Sequence, residues 1–183
     1  YGVPLNEILD IYRYCRKLGL KIIIITARAI EGLQFTKNEL KGQVDEWHEQ
    51  SKSVIFTNGC FDLLHKGHID LLNKASTFGD ILIVGLNSDE SVKRLKGENR
   101  PIQPIEIRIK NILPLEAVTA ISIFEGDTPL DLIQTIRPDI LVKGEDYNPK
   151  DIVGSVEMST WGGRVEIVPH TPGFSTTAQI DKM

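Results

Sequence analysis

From residue 53 onward, short runs of β-branched and aliphatic residues alternate with stretches of helical spacing, and no other feature constrains the fold as tightly. Residues 54–57, 81–86, 118–124, 140–142 and 165–168 read as short strands, and 81–86 is an apolar run of the kind buried in a parallel sheet. Between them, Ile69, Leu71, Leu72 and Ala75 mark a helix that ends at Gly79, and Ser88 and Asp89 can cap the next. Residues 106–115 predict a third helix ended by Pro114. Asp127, Thr128 and Pro129 read as a fourth helix start, and a last helix begins near Ser175. Strand and helix in turn imply an α/β protein whose parallel sheet is joined by right-handed crossovers.

The first 42 residues form a smaller unit. Ile8, Leu9, Ile11, Tyr12, Cys15 and Leu18 recur at helical spacing, and Gly19 stops that helix. Residues 21–26 predict a buried strand, and residues 32–40 begin a second helix. Such a short α-β-α fragment is too small to bury a core alone. Residues 43–52 (QVDEWHEQSK) are polar and read as a junction, with Trp47 and His48 in packing or solvent contact. The expected division is therefore a fragment over 1–42, a junction over 43–52 and a main domain over 53–183.

Composition excludes several classes. With 21 Lys and Arg against 25 Asp and Glu, the net charge of −4 gives no bulk attraction to nucleic acid or membrane. Two cysteines, Cys15 and Cys60, are too few for a disulfide framework and suit a reducing cytoplasm. No apolar run is long enough to span a bilayer.

The chemistry concentrates in Thr57-Asn58-Gly59-Cys60-Phe61-Asp62-Leu63-Leu64-His65-Lys66-Gly67-His68, which leaves the first strand of the main domain and opens its first helix. Gly59 and Gly67 permit close approach of a ligand to the backbone. The free N–H groups of a helix start favour phosphate. His65 and His68, three apart on a first turn, share a face and can donate to phosphate oxygens as charge develops. Cys60, His65 and His68 as zinc ligands lack an evident fourth partner and match no usual zinc spacing. Lys93, Arg94, Lys96 and Arg100 cluster between positions 93 and 100; alone, such a run reads as a solvated helix face.

The segment resembles the signature of the cytidylyltransferase-like nucleotidyltransferases, in which His-x-Gly-His follows the first strand of a Rossmann-like sheet. The resemblance continues in order. Ser91-Val92-Lys93-Arg94-Leu95-Lys96-Gly97, Arg100-Pro101, Pro104, Glu106 and Arg108 are similar to the corresponding run of the bacterial heptose-1-phosphate adenylyltransferases. So are Phe124-Glu125-Gly126-Asp127-Thr128-Pro129, Lys143-Gly144-Glu145-Asp146-Tyr147, Gly154-Ser155, Gly162-Gly163 and Ser175-Thr176-Thr177. The sequence departs from the pattern at Glu145, where a second Gly is usual, at His170, where related cytidylyltransferases carry Arg, and at Pro114, in place of a helix former.

The resemblance implies transfer of AMP from ATP to a heptose 1-phosphate, with release of pyrophosphate. It places His65, His68 and Lys96 at the reacting phosphates. Asn58, Gly59, Cys60, Phe61, Gly67, Lys143, Gly144 and Asp146 fall at the nucleotide, and Ser175, Thr176 and Thr177 at its β- and γ-phosphates. Lys93, Arg94 and Arg100 fall at the acceptor phosphate. It also implies Mg²⁺ brought with ATP, no metal held by dedicated protein ligands, a homodimer and a cytoplasmic location. The sugar phosphate is itself the nucleophile, so catalysis is positioning and charge stabilisation. Two other readings stand beside this one: a cytidylyltransferase for a polyol or amino-alcohol phosphate, and a nucleotide-binding module without turnover.

Lys21-Ile22-Ile23-Ile24-Ile25-Thr26-Ala27-Arg28 resembles the second motif of haloacid-dehalogenase-type phosphatases, where a Thr or Ser at a strand end holds phosphate. The Asp-x-Asp nucleophile strand of that family does not precede it, so no phosphatase activity is expected of this chain. An inactive fragment and a part of a longer phosphatase domain both fit.

Overall fold

A computed structural model describes residues 23–25, 37–145 and 151–169. Their six strands form one parallel sheet: β1 (Ile23–Ile25), β2 (Val54–Gly59), β3 (Ile81–Asn87), β4 (Ala120–Phe124), β5 (Ile140–Gly144) and β6 (Arg164–Val168). In space the order is β1-β4-β3-β2-β5-β6. The chain builds outward from β2 through β3 to β4, then returns across β2 to add β5 and β6 on the other side. A cleft opens at such a reversal, beyond the carboxyl ends of β2 and β5.

Side-chain alternation divides the core into two layers. Val54, Phe56, Ile81, Ile83 and Leu141 face one side, packed under helices α1 (Lys37–Glu49), α5 (Leu130–Ile136) and α6 (Ser155–Thr160). Ile55, Leu82, Val84, Leu86, Ile140 and Val142 face the other, under α2 (Lys66–Ser76) and α4 (Ile105–Ile112). Burial on both faces explains the apolar runs of β3 and β4, which are buried at all their positions, whereas β6 at the sheet edge is buried only at Val168. Helix α3 (Asp89–Lys96) lies between β3 and α4 in the chain, capped by the Ser88 hydroxyl, which accepts from Ser91 N at 3.2 Å. Asp89 and Glu90 occupy its first turn and Lys93, Arg94 and Lys96 its last, each complementing the helix dipole.

The expected junction over 43–52 is instead most of α1. Leu40, Val44 and Trp47 stand at i, i+4 and i+7 and are buried in the core, Trp47 completely. Three apolar residues among nine polar ones and a glycine suffice because they pack in the core. His48 Nε2 lies 3.1 Å from Asp139 Oδ2, which also accepts Val54 N at 2.7 Å, pinning the helix end to the start of β2. Residues of the expected N-terminal fragment, Ile23–Ile25, pair with Ala120–Ser122 of β4 as an edge of the same sheet. Helix α6 had no counterpart in the sequence reading. The fourth expected helix begins at Leu130, with Pro129 as its cap. The helix expected before Gly19, the one expected at Ser175, and Thr26, Arg28, Asp146, His170, Ser175, Thr176 and Thr177 lie outside the described residues.

Candidate active site

The β2–α2 turn forms the floor of the cleft. Asn58 and Gly59 end β2, and Phe61 takes a left-handed backbone conformation (φ 46°). That conformation costs a non-glycine residue about 1 kcal/mol or more. Burial of the Phe61 ring in the second core layer holds it there. A Cβ at Gly59 would sit 3.0 Å from that ring, so the turn admits little more than a hydrogen at this point.

His65 is the N-cap of α2: its Nδ1 accepts the backbone N–H of His68 at 3.3 Å. This acceptor duty occupies one nitrogen and leaves Nε2 as the donor. The His65 and His68 rings stack at 3.7 Å between centroids, 15° from parallel, and Phe61 lies 5.0 Å from His68. Burial, then the neighbouring charge of His65, lowers the His68 pKa to about 4, with the Leu63 carbonyl pulling the other way. His68 is thus neutral at physiological pH. The two rings stand together at one helix start, with Gly67 between them; the His68 ring donates to the Leu63 carbonyl, and its Nδ1 is buried with no hydrogen-bond partner among the described residues.

Across the cleft, Lys143 leaves β5 one position beyond the Thr57–Val142 pair, level with Asn58. Its ammonium donates to Asn58 Oδ1 at 2.5 Å and is only 7% exposed. Burial lowers its pKa to about 8, opposed by Cys60. Gly144 follows at the strand end. Gly85 on β3 makes room for this face: a Cβ there would meet Phe56 Cζ at 2.7 Å and Asn58 Cβ at 3.2 Å.

Cys60 Sγ lies 3.8 Å from Asn87 Oδ1. Burial raises its pKa, and the positive charges of Lys96, Arg108 and Arg100 oppose the shift. Lys96 therefore directs its field at the turn, although its side chain is exposed at the end of α3. The other cations of the cluster are engaged within the protein. Lys93 Nζ pairs with Glu98 Oε2 at 2.6 Å, and burial is absent at this exposed site. Arg94 donates to Asp127 Oδ1 at 2.7 Å and to the Glu125 carbonyl. Arg100 donates to Asp62 Oδ2 at 2.5 Å, and Asp62 is only 1% exposed. Arg94 and Arg100, expected at the acceptor phosphate, thus each hold a carboxylate of their own chain.

Sequence reasoning assigned no role to the polar residues beneath this site. Arg108 is fully buried and donates to the Cys60 carbonyl at 2.7 Å, to Asp89 Oδ1 at 2.6 Å and to the Gln103 carbonyl at 3.1 Å. Asp62 accepts from Ile102 N at 2.9 Å and Gln103 N at 2.8 Å as well as from Arg100. Burial works against its ionisation, yet those two amides and Arg100 hold its pKa below the usual carboxylate value. Asn87 Nδ2 donates to Ser91 Oγ, which donates to the Gly126 carbonyl, joining the end of β3 to α3 and to the β4–α5 loop. One signal was available: Ile105, Arg108, Ile109 and Ile112 form an i, i+3, i+4, i+7 stripe in which a lone arginine takes a core position.

A parallel sheet with a glycine-bearing turn, a capped helix start and two stacked imidazoles at its reversal point defines a nucleotidyltransferase of the Rossmann-like class. Residues 56–181 match the family model described as cytidylyltransferase-like, and the chain belongs to that family. It is 50% identical over 147 residues to the bifunctional protein HldE of Koribacter versatilis, covering 80% of this chain and 30% of that protein. With the bifunctional protein HldE of Geotalea uraniireducens it is 52% identical over 134 residues, covering 73% and 27%. The chain therefore spans about 30% of the length of these relatives. Among solved structures, a lipopolysaccharide core biosynthesis protein from Thermoplasma volcanium superposes with a TM-score of 0.54 at 25% identity, covering 66% of this chain and 97% of that one. Pantoate-beta-alanine ligase from Francisella tularensis shares the fold, with a TM-score of 0.61 at 16% identity over 87% and 73% of the two chains.

Proposed function

We propose that this chain transfers AMP from ATP to a heptose 1-phosphate, forming ADP-heptose and pyrophosphate. The observation that carries the reading is the stacked His65–His68 pair at the start of α2, beside the β2–β5 cleft. Two imidazoles held at a helix start suit a triphosphate whose charge shifts toward the leaving pyrophosphate. Lys143 and Lys96 add positive charge on the far side and the rim. The acceptor phosphate attacks the α-phosphorus directly, so no protein nucleophile is required. The choice of a heptose phosphate is supported by the identity with the HldE proteins over this segment.

No group of three or more His, Cys, Asp or Glu side chains converges among the described residues. Both oxygens of Asp62 are already bonded within the protein. These residues do not form a magnesium cage; Mg²⁺ in this reading accompanies ATP, held by phosphate oxygens and water. No helix among the described residues is long and apolar enough to cross a membrane. Action in the cytoplasm, as a homodimer, completes the proposal.

The test is pyrophosphate release from ATP, CTP and GTP, each paired with heptose 1-phosphate, glycerol 3-phosphate and phosphoethanolamine. ATP with heptose 1-phosphate is expected to give the highest kcat/KM. A tenfold preference for CTP or GTP would overturn the adenylyl assignment, and a better non-sugar acceptor would overturn the heptose assignment. Binding of nucleotide with no release from any pair would favour a module without turnover.

A further inference from the structure

Arg108 is the largest charged group with no exposed surface among the described residues. Its guanidinium joins three separate segments: the Cys60 carbonyl on the β2–α2 turn, the Gln103 carbonyl before α4, and the Asp89 carboxylate at the start of α3. A planar fork with fixed donor directions is suited to such a three-way junction, and a lysine is not its equivalent. Asp62 closes the same turn from the opposite direction by accepting from Arg100, Ile102 and Gln103.

The Cys60 carbonyl shares its peptide plane with the Phe61 N–H, and in a trans peptide the two point in opposite directions. Holding the carbonyl therefore aims the amide. No described residue accepts the Phe61 N–H, although the Phe61 ring is only 4% exposed. An amide so aimed, in a left-handed turn beside a helix start and with no acceptor among the described residues, is a donor suited to an anionic ligand.

We infer that Arg108 is a positioning residue: by fixing the Cys60 carbonyl it directs the Phe61 N–H at the nucleotide. The inference rests on the proposed function for the identity of that ligand. Through Asp89, the same guanidinium also sets α3, and with it Lys96, at a constant distance from the turn.

The test compares the whole chain with Arg108→Lys, Arg108→Met and Asp89→Asn, each checked for cooperative melting. Amide spectra are followed as the triphosphate preferred by the wild-type chain is added, together with hydrogen exchange at residues 59–64 without ligand. In wild type, the Phe61 amide is expected to shift on nucleotide addition. In Arg108→Met that shift should be lost, exchange at the turn should rise, and kcat should fall on the order of 10²-fold with a smaller change in KM. Arg108→Lys should recover part of the loss. Asp89→Asn, changed at a partly exposed side chain, should lower kcat about tenfold even if Arg108→Met fails to fold.

Folded variants with a wild-type Phe61 shift, unchanged exchange and unchanged kcat would overturn the inference. So would a wild-type chain in which nucleotide shifts the Gly67 and His68 amides but not Phe61. If nucleotide shifts Phe61 and yet no pyrophosphate is released with heptose 1-phosphate, the proposed function fails and the role of Arg108 stands. If no triphosphate shifts any amide between 58 and 68, both fall.

Discussion

The imidazoles of His65 and His68 stack 3.7 Å apart, and the bond that sets this geometry runs from the His68 amide to His65 Nδ1. One histidine thus serves two purposes. It caps α2 through Nδ1, and that cap bond fixes the proton on Nε2. The cap and the proposed contact with the reacting phosphates can be separated by mutation.

His65→Ala and His68→Ala should each lower kcat on the order of 10²-fold, because donors aimed at developing charge act mainly in the transition state. His65→Ala should also lose about 1 kcal/mol of stability with the cap. His65→Asn restores a capping acceptor and should recover the melting temperature without recovering turnover. Steady-state kinetics and thermal melts on the three variants decide this; near-normal kcat in both alanine variants removes the pair from the chemistry.

The depressed pKa of His68 makes stability depend on pH. The folded value is about 4 and the unfolded value 6.5, so the unfolded chain binds the extra proton between them. The stabilisation is complete above pH 6.5 and is lost as pH falls toward 4. Melting temperature should decline across that window in wild type and decline less in His68→Gln. Parallel pH curves for the two chains would show that His68 is not held neutral by its site.

Lys143, with a pKa near 8, should place an alkaline limb on kcat/KM, which reports the free enzyme. Below pH 8 its ammonium carries its charge beside Asn58 at the end of β2; above it, the charge is lost. In Lys143→Arg the limb should move to higher pH, and in Lys143→Gln kcat/KM should be low and flat across the range. An identical limb in all three chains would assign it to another group.

Removal of residues 1–42 should destabilise the main domain. The cut takes away the β1 edge that pairs with β4 and the fully buried Leu40 of α1. Loss of the Leu40 side chain alone is worth about 2–5 kcal/mol by analogy with core truncations. The β2–α2 turn is remote from that edge, so the folded fraction should keep its turnover at low temperature. Denaturant melts and assays at two temperatures separate the effects; an unchanged melt would restore the view of this segment as an appendage.

Much of the site was legible as sequence because its parts are contiguous. Asn58, Gly59, Cys60, Phe61, His65, Gly67 and His68 occupy one strand-to-helix turn, and the resemblance that proposed a shared ligand for them rests on that contiguous stretch. Lys143 and Gly144 were placed through resemblance, and the sheet order puts them level with Asn58. The basic run was legible as charge but not as role. Whether Arg94 faces a substrate or Asp127 depends on a residue 33 positions away.

By itself, the sequence determined the parallel α/β class, the five strands of the main domain and the position of the glycine- and histidine-bearing turn, since each rests on local periodicity and on residues adjacent in the chain. The tertiary structure decided what requires distant segments to meet. Trp47 turned a polar stretch into a core helix because the sheet lay beneath it. Ile23–Ile25 became an edge of the same sheet because β4 offered unpaired backbone groups. Arg108 became the bolt of the nucleotide turn because Cys60, Asp89 and Gln103 converge on it. A buried charge survives only where its partners are assembled around it, and that assembly is a property of the folded chain, not of any segment within it.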